Sequence, residues 1–290
     1  MFCIPSIILA QSGTSGAAFM KIGLSPRAGG MGEAYVAVAD DAGGIYYNPA
    51  GILLNKSPQI ELAHRAWIDD IQSQSLSATL PWDDIALGLN ITTTTVPNIE
   101  IRTRPGDPEG TFTSRNFTLG GSIAYRIMES VTIGGTAKYV FEKIFVDEWS
   151  GVGIDLGIHY RTPVDGLALG VSLLNLGSMS GTNTPSINLP TMLRGGAAYK
   201  FPVDVIRSEV AFAADAVQLT RDRIFHSYIG GEIVFDRTIA LRLGYQTGFD
   251  FRNITAGVGI RYRSFALDYC IIPMSQQAGT AQTIGLGITL

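Results

Sequence analysis

The stretch that decides the fold is VGIDLGIHY, residues 152–160, in which large apolar side chains alternate with small or polar ones. In an extended chain, one face carries the large apolar residues Val152, Ile154, Leu156, Ile158 and Tyr160. The opposite face carries Asp155 and His159, and then Arg161. A period of two predicts a β-strand with one apolar and one polar face. The same pattern recurs at residues 119–125, 131–141, 254–262 and 284–290.

The composition is typical of a membrane protein, yet the sequence contains no spanning helix. Only 16% of the 290 residues are charged, and the mean hydropathy is +0.21. A spanning helix needs about 20 consecutive apolar residues. The longest uncharged stretch, residues 167–193, is interrupted by Ser, Thr, Asn, Pro and Gly throughout. This combination favours a transmembrane β-barrel, in which lipid-facing and lumen-facing residues alternate.

Counting the alternating segments predicts fourteen strands, and bacterial outer-membrane barrels have an even number. The strands cover residues 57–67, 72–81, 84–95, 115–126, 129–142, 151–162, 166–175, 190–201, 206–218, 224–236, 238–248, 253–263, 264–272 and 282–290. Connections after even-numbered strands are tight. Several connections after odd-numbered strands are long, including residues 96–114 and 176–189, although those after the first and eleventh strands are short.

This asymmetry between the two rims separates a barrel from a soluble β-sandwich, which also alternates. Outer-membrane barrels have short periplasmic turns and longer extracellular loops, whereas a sandwich has no reason to show the difference. We therefore expect an all-β, transmembrane antiparallel barrel of about fourteen strands, with both ends of the barrel wall at the short-turn rim.

Charged residues within the predicted strands fall on the face opposite to the large apolar side chains. These residues are Arg126, Lys138, Asp155, Arg161, Arg194, Glu209, Asp215, Glu232, Arg242, Arg261 and Asp268. An Arg or Lys facing lipid at mid-depth costs about 2–4 kcal/mol, so we expect these residues to face the lumen and to pair across it. The alternative, a solvated outer face of a soluble sheet, fits poorly with the low charge content.

The first residues, MFCIPSIILAQSGTSG, resemble the back half of a secretory signal. An apolar run ends at residues 7–10, and a polar stretch of small residues follows it. We interpret residues 1–10 as the remnant of a signal peptide; the alternative is a short apolar strand.

The net charge of −4 offers no basic surface for nucleic acid. Cys3 and Cys270 define no disulfide framework.

The segment GGMGEAYVAVADDAGGIYYNPAGI, residues 29–52, does not alternate. Its small residues allow close approach to a surrounding wall, residues 34–42 are expected to form a short helix, and residues 48–51 form a turn. A barrel of about fourteen strands has room for such a segment. We therefore expect residues 11–55 to form a luminal plug with short helical turns and residues 56–290 to form the barrel.

Residues 17–52, AAFMKIGLSPRAGGMGEAYVAVADDAGGIYYNPAGI, closely resemble the N-terminal signature of the PorV/PorQ family, within the wider FadL-like group of outer-membrane proteins. The plug and family-motif residues are Gly29, Gly30, Gly32, Asp40, Asp41, Asn48, Pro49, Ala50 and Gly51. The resemblance implies a 14-stranded barrel in the bacterial outer membrane with its N-terminus inside the lumen.

The resemblance also implies two different roles. PorV-like members serve the type IX secretion system, where they bind cargo proteins and pass them to surface machinery, so partners would be secretion-machinery subunits and secreted cargo. FadL-like members carry hydrophobic compounds, so a hydrophobic ligand would occupy the lumen. We expect the secretion role first, with hydrophobic transport and a purely scaffolding barrel as alternatives. In each case the barrel is expected to contact outer-membrane lipid and to be monomeric.

No pattern in the sequence predicts catalysis, a cofactor or a metal site. The Gly-Gly-Met-Gly run at residues 29–32 lacks the spacing and the preceding strand of a phosphate-binding loop. Asp40 and Asp41 offer too few oxygen ligands for a hard cation, and we expect them to cap and hydrogen-bond the plug. The three histidines are scattered, and no G-x-S-x-G elbow is present. We therefore expect a protein that is not an enzyme.

Overall fold

The computed structural model describes residues 15–181, 184–250, 252–275 and 279–290. Fourteen antiparallel strands form a closed barrel, and one short additional strand, β8, pairs only with β7. The strands are β1 Gln59–Ala66, β2 Gln72–Trp82, β3 Ile85–Ile101, β4 Gly110–Met128, β5 Val131–Ile144, β6 Asp147–Arg161, β7 Leu167–Gly181, β8 Thr184–Asn188, β9 Met192–Val203, β10 Ser208–Leu219, β11 Ile224–Phe235, β12 Ile239–Gln246, β13 Ile254–Tyr262, β14 Phe265–Pro273 and β15 Thr280–Thr289.

The barrel closes where its first and last strands pair, from Gln59↔Thr289 to Ala66↔Gln282. All fourteen predicted strands are confirmed. Their bounds lie within a few residues of the predicted ones, except at the upper ends of β3, β4 and β7, which extend five or six residues further. The rim with the short turns, where β1 begins and β15 ends, is called the lower rim below. The opposite rim is called the upper rim.

The predicted long loops at residues 96–114 and 176–189 are wrong in part, because much of each is extended strand. β3 and β4 remain paired up to Ile101↔Gly110, well beyond the neighbouring β1–β2 pair, which ends at Ala66↔Gln72. The result is a β-hairpin that rises above the upper rim. In the second region, the upper part of β7 pairs with β8.

The two faces of the wall differ as the alternation requires. On β6, Val152, Ile154 and Leu156 are half or more exposed on the outer face, whereas Asp155 and His159 are almost fully buried on the inner face. An apolar outer face and a polar inner face are the arrangement of a barrel that sits in lipid. Among the described residues, no helix is long and apolar enough to cross a bilayer.

Residues 15–58, called the luminal segment below, lie inside the barrel. The segment starts near the upper rim, where the Gly16 N–H donates to the Asn188 carbonyl, and it ends at the lower rim, where β1 begins. It consists of a short helix, α1, at Pro26–Gly30, and of 3₁₀ turns at Ala18–Lys21, Ala42–Tyr46 and Pro49–Leu53. The predicted signal remnant, residues 1–10, lies outside the described residues.

The helix expected at residues 34–42 does not form. The backbone N–H groups of Tyr35 and Val36 donate to the Asp215 carboxylate on β10, at 2.8 and 2.9 Å. These donors bond to the wall, and Val38 and Ala39 close only a single turn on the Tyr35 carbonyl. The helix forms at residues 26–30 instead, where Pro26 occupies the first helical position, for which its fixed φ is suited.

Candidate functional site

The wall contacts the luminal segment through glycines on nine different strands. A Cβ atom at any of these positions would lie within 3.1 Å of an atom of the segment. The nine are Gly88, Gly134, Gly157, Gly170, Gly196, Gly230, Gly244, Gly257 and Gly285. Only a wall without side chains at these positions lets the segment approach this closely. The luminal segment is therefore packed tightly against much of the barrel's circumference.

The family-motif glycines provide the other side of these contacts. Gly30 faces Gly257, with the Cα atom of each 3.0 Å from the ideal Cβ position of the other. A Cβ on Gly29 would lie 2.7 Å from Cys270 Sγ. Gly32 has φ +65° and approaches the Tyr245 backbone nitrogen, so this position requires both a left-handed conformation and no side chain.

The Asn-Pro-Ala-Gly turn at residues 48–51 is anchored to the wall by its asparagine. Asn48 Nδ2 donates to the carbonyls of Val36, at 2.9 Å, and of Ile158 on β6, at 3.0 Å. Asn48 Oδ1 accepts from the Ala50 N–H at 3.1 Å and so caps the 3₁₀ turn that follows. The residue thus satisfies its amide on both sides while it is fully buried.

A network of ion pairs joins the segment to the wall in the lower half of the lumen. It is called the lower network below and consists of Arg27, Asp40, Asp41, Lys200, Glu232, Arg242 and Asp268. Arg27 forms a two-point pair with Glu232, at 2.8 and 3.0 Å, and also contacts Asp40 at 2.6 Å. Such forked contacts are the strongest form of arginine–carboxylate pairing.

The same network continues from Glu232 along the wall to Arg242, at 2.6 Å, and on to Asp268, at 2.6 Å. On the segment's side, Lys200 reaches Asp40 from β9. Burial alone would raise the pKa of Asp40, but Arg27 and Lys200 more than offset this effect and hold that pKa well below its usual range. Asp40 is therefore a carboxylate at neutral pH.

Asp41 has a structural role within the segment. Its side chain accepts from the Gly44 N–H at 2.9 Å and from Tyr35 Oη at 2.5 Å. Burial, reinforced by the neighbouring carboxylates, raises the pKa of Tyr35 well above its usual value despite the opposing charge of Arg27, so the phenol keeps the proton it donates. Within the described ranges, no three His, Cys, Asp or Glu residues are grouped as a metal ion would require.

A second set of polar groups, all buried except the half-buried Tyr46 and Arg252, lies in the upper half of the lumen. It is called the upper cluster below and consists of Glu33, Tyr46, Tyr47, Arg65, Arg194, Asp215, Tyr228, Gln246 and Arg252. Arg194 is 1% exposed, and its guanidinium carbon lies 5.2–5.9 Å from the ring centroids of Tyr47, Tyr228 and Tyr46. The nearest carboxylate to Arg65 is Glu33, at 3.8 Å.

Three spaces adjoin the segment. A cavity of about 50 Å³ lies between the segment and strands β1–β6. The segment lines it with Phe19, Met20, Ile22, Leu24 and Ile45, and the wall lines it largely with hydroxyl and amide side chains. Two larger spaces, of about 330 and 700 Å³, open at the lower rim on either side of the Arg27–Asp40 contact.

The eleven charged residues predicted to face the lumen fall into three groups. Arg126, Arg161, Glu209 and Arg261 line the openings at the lower rim. Lys138 and Asp155 pair with each other at 2.6 Å beside the small cavity. The other five belong to the lower network or the upper cluster.

Sequence reasoning missed several residues of the site, among them Arg27, Glu33, Glu61, Arg65 and the tyrosines of the segment. The parity of β1 would have placed Glu61 and Arg65 on the inner face, because Leu62 and His64 are on the outer face. No such periodicity exists in the luminal segment. Its side chains could be assigned to partners only from the three-dimensional packing.

The fold is that of FadL-type outer-membrane channels. The chain is similar to the structure described as "CymD monoaromatic hydrocarbon channel", with a TM-score of 0.63, 14% identity, and coverage of 92% of this chain and 96% of the other. It is also similar to the Pseudomonas putida toluene transporter TodX (TM-score 0.61, 14% identity, 90% and 96% coverage). A Pseudomonas aeruginosa FadL homologue gives a TM-score of 0.58 with 11% identity and 92% and 98% coverage. No protein-family profile and no curated protein sequence matches the chain.

Proposed function

We propose that the protein is a bacterial outer-membrane channel for small hydrophobic molecules, with the luminal segment as its gate. The observation that carries the proposal is the cavity between the apolar side chains of the segment and the wall. Small-molecule sites combine an apolar lining with placed polar groups. Here the segment supplies the apolar side chains, and the wall supplies polar and charged ones, among them Glu61, Lys138 and Asp155. The apolar outer face supports the location in the membrane, and the fold is shared with structures described as hydrocarbon and toluene channels.

The size of the cavity requires that the gate move. An apolar cavity of about 150 Å³ holds one benzene molecule, whereas the cavity here measures about 50 Å³. A substrate of that size enters only if the apolar part of the segment, residues 19–24, shifts away from the wall. In this mechanism the lower network holds the segment at its lower end, and passage accompanies the displacement of its upper part. That part includes residues 19–24 and Gly29, where a Cβ would lie 3.5 Å from Arg65 Nη2 of the upper cluster.

A single substitution can lock the gate. On Gly29, a Cβ would lie 3.9 Å from Cys270 Cβ and 2.7 Å from Cys270 Sγ, and the Cβ atoms of a disulfide lie about 3.8 Å apart. The variant Gly29→Cys is therefore expected to form a disulfide between the segment and β14. We would measure the uptake of radiolabelled toluene by cells that express the variant, before and after treatment with dithiothreitol.

The oxidised variant is expected to take up toluene several-fold more slowly than the wild type, and reduction is expected to restore the rate. Gly29→Ser controls for the added side chain, and Gly29→Cys combined with Cys270→Ser controls for a thiol without its partner. If the disulfide is demonstrated by mass spectrometry and uptake remains at the wild-type rate, the gating proposal is wrong.

A second candidate is a PorV/PorQ-like role in type IX secretion, in which the barrel binds cargo proteins. It is supported by the resemblance of residues 17–52 and by the β3–β4 hairpin, which rises above the upper rim and is largely exposed at residues 102–109. In this role the luminal segment would be a permanent seal, because the cargo binds outside the barrel. Here, too, the protein binds and passes on other molecules without catalysis.

Co-purification separates the two candidates and also the scaffolding alternative. The protein would be extracted gently from native outer membranes, and everything that accompanies it would be identified by mass spectrometry. A bound hydrophobic molecule without a stoichiometric protein partner supports the channel. Stoichiometric secretion proteins that are lost when residues 102–109 are replaced by a short turn support the secretion role. Stoichiometric partners unrelated to secretion, with an empty lumen, support a scaffold.

A further inference from the structure

The upper cluster contains buried hydrogen-bond donors that no described residue satisfies. Arg194 Nε and Nη1 and Arg65 Nη1 and Nη2 are buried without a hydrogen-bond partner. The amide nitrogen and the amide oxygen of Gln246 and the hydroxyl of Tyr47 are also buried without a hydrogen-bond partner. These residues are at most 1% exposed. Buried polar groups are nearly always hydrogen-bonded, to protein or to ordered water, and buried charged ones especially so. A concentration of unsatisfied donors at one place therefore requires partners from outside the chain, either water or a bound ligand.

The groups are neighbours. Tyr47 Oη and Glu33 Oε2 would lie 2.0 and 2.9 Å from the same Cβ placed on Gly23, and Arg65 lies 3.8 Å from Glu33. Tyr47 and Tyr228 both pack on the Arg194 guanidinium, and Gln246 is the register partner of Tyr228 in the β11–β12 pair. The unsatisfied donors of Arg65 and Arg194 therefore flank one region between the segment and the wall.

The charges of the cluster do not balance. Three arginines, Arg65, Arg194 and Arg252, stand against two carboxylates, Glu33 and Asp215. Arg252 is stacked between the rings of Phe249 and Trp67, at 4.1 and 5.2 Å. Asp215 Oδ2 already accepts two backbone N–H bonds from the segment, whereas Asp215 Oδ1 is buried without a hydrogen-bond partner. An excess of one positive charge in a water-poor interior is unfavourable unless a counter-ion lies close to it.

We propose that the upper cluster binds one small monovalent anion, of the chloride class, between the guanidinium groups of Arg65 and Arg194. The single excess positive charge indicates that the anion is monovalent, and the unsatisfied N–H and O–H groups supply the hydrogen-bond donors that would bind it. The near-complete burial of these side chains sets the size, because an organic anion would require the segment to be displaced. The site is distinct from the cavity of about 50 Å³, whose lining does not include Arg65 or Arg194. It holds whether the barrel is a channel or a sealed secretion component.

The test uses the full chain in detergent, with sodium chloride titrated against sodium gluconate at constant ionic strength. A ligand that binds only the folded state raises Tm in a saturable manner, and we expect a rise of about 3 °C or more. Arg194→Gln and Arg194→Lys are expected to lose the saturable rise, because both remove the guanidinium fork. Arg261→Gln, which alters an arginine at the open lower rim, is the matched control and keeps it.

A second measurement does not depend on the folding of the arginine variants. Crystals of the wild-type protein soaked in bromide are expected to show an anomalous-scattering peak between Arg65 and Arg194, and Gln246→Leu is expected to weaken it. A flat dependence of Tm on chloride, a saturable rise that survives in Arg194→Lys, or bromide peaks only at other arginines would each overturn the proposal.

Discussion

The lower and upper halves of the lumen bury arginines in opposite ways. In the lower half, Arg27 and Arg242 each contact at least two carboxylates at hydrogen-bonding distance, and Glu232 bridges them. In the upper half, Arg194 is enclosed by three tyrosine rings and has no carboxylate within 4 Å among the described residues. Arg194 and Arg242, which both project from the wall, are almost fully buried.

This difference in ion pairing indicates that the two halves of the luminal segment have different roles. The lower half is closely paired and holds the segment to the wall through geometry that tolerates little displacement. The lower network leaves one guanidinium nitrogen, Arg242 Nη2, without a partner, whereas the upper half leaves four on Arg65 and Arg194. The upper half also borders the small cavity through Tyr46, so we expect its packing to be the part that a ligand reorganises. A gate that opens at its upper end while it remains attached at its lower end is consistent with this contrast.

The largest expected effect comes from removing the carboxylate that bridges the lower network. Glu232→Ala leaves Arg27 and Arg242 buried with one partner fewer, and we expect a loss of about 3–5 kcal/mol in the free energy of unfolding. Urea titration of the refolded protein in detergent would measure it. Glu209→Ala is the control, because Glu209 lies exposed at the lower opening and forms no ion pair among the described residues; equal losses in both variants would contradict the role of the network.

The second prediction concerns the steric fit of the lower half. A Cβ on Gly134 would lie 2.5 Å from the backbone of Pro49 and Ala50, whereas one on Gly135 would meet only ordinary contacts at 3.6 Å or more. We expect Gly134→Ala to cost about 1–3 kcal/mol and to raise single-channel conductance in planar bilayers, because the segment must withdraw. Gly135→Ala should leave both quantities near the wild-type values.

Much of the fold could be predicted from the sequence, because the information that specifies a barrel wall is local. Val152, Ile154 and Leu156 face outward in the structure as their alternation requires. The prediction failed at residues 96–101 and 110–114, where the strands continue above the upper rim. That part of the hairpin is not embedded in an apolar environment, so no strict alternation marks it as strand.

The candidate site could be predicted only in part. Strand parity placed Glu232 and Arg242 on the inner face, but it could not reveal that Arg27, 205 positions from Glu232, would be the second partner of Glu232. Pairing in the lumen depends on the depth and register of strands that are distant in sequence. The luminal segment has no periodicity, so Asp215 could not be foreseen as the acceptor that prevents a helix at residues 34–42.

A third prediction tests how strongly the upper half contributes to stability, by truncating Arg194 as Glu232 is truncated in the lower half. Arg194→Met removes a cation that packs on aromatic rings and leaves fewer charges without partners than Glu232→Ala does. The cation–π contacts that are lost contribute about 1–2 kcal/mol. In chloride-free buffer this loss is partly offset because the substitution removes the uncompensated positive charge, so we expect a net loss smaller than that range. Urea titration under the conditions used for Glu232→Ala gives the comparison directly. A loss as large as that of Glu232→Ala would mean that both halves are equally closely paired.

The last prediction concerns Asp40, at the lower opening. Its side chain is about one quarter exposed, so Asp40→Asn is expected to cost about 1 kcal/mol at neutral pH after allowance for solvent screening. Asp165→Asn, at an exposed carboxylate with no ion pair among the described residues, should cost almost nothing.

The difference in unfolding free energy between the wild type and Asp40→Asn should depend on pH in one direction only. Because Arg27 and Lys200 depress the pKa of Asp40 in the folded state, its contribution is fully present above the unfolded pKa of about 3.9 and is lost only as the pH falls through the folded value. The stability difference between the wild type and Asp40→Asn should therefore be constant from about pH 5 to pH 8 and shrink only in stronger acid. A difference that already declines between pH 7 and pH 5 would show that the lower network does not hold Asp40 ionised, and the contrast between the two halves of the lumen would be lost with it.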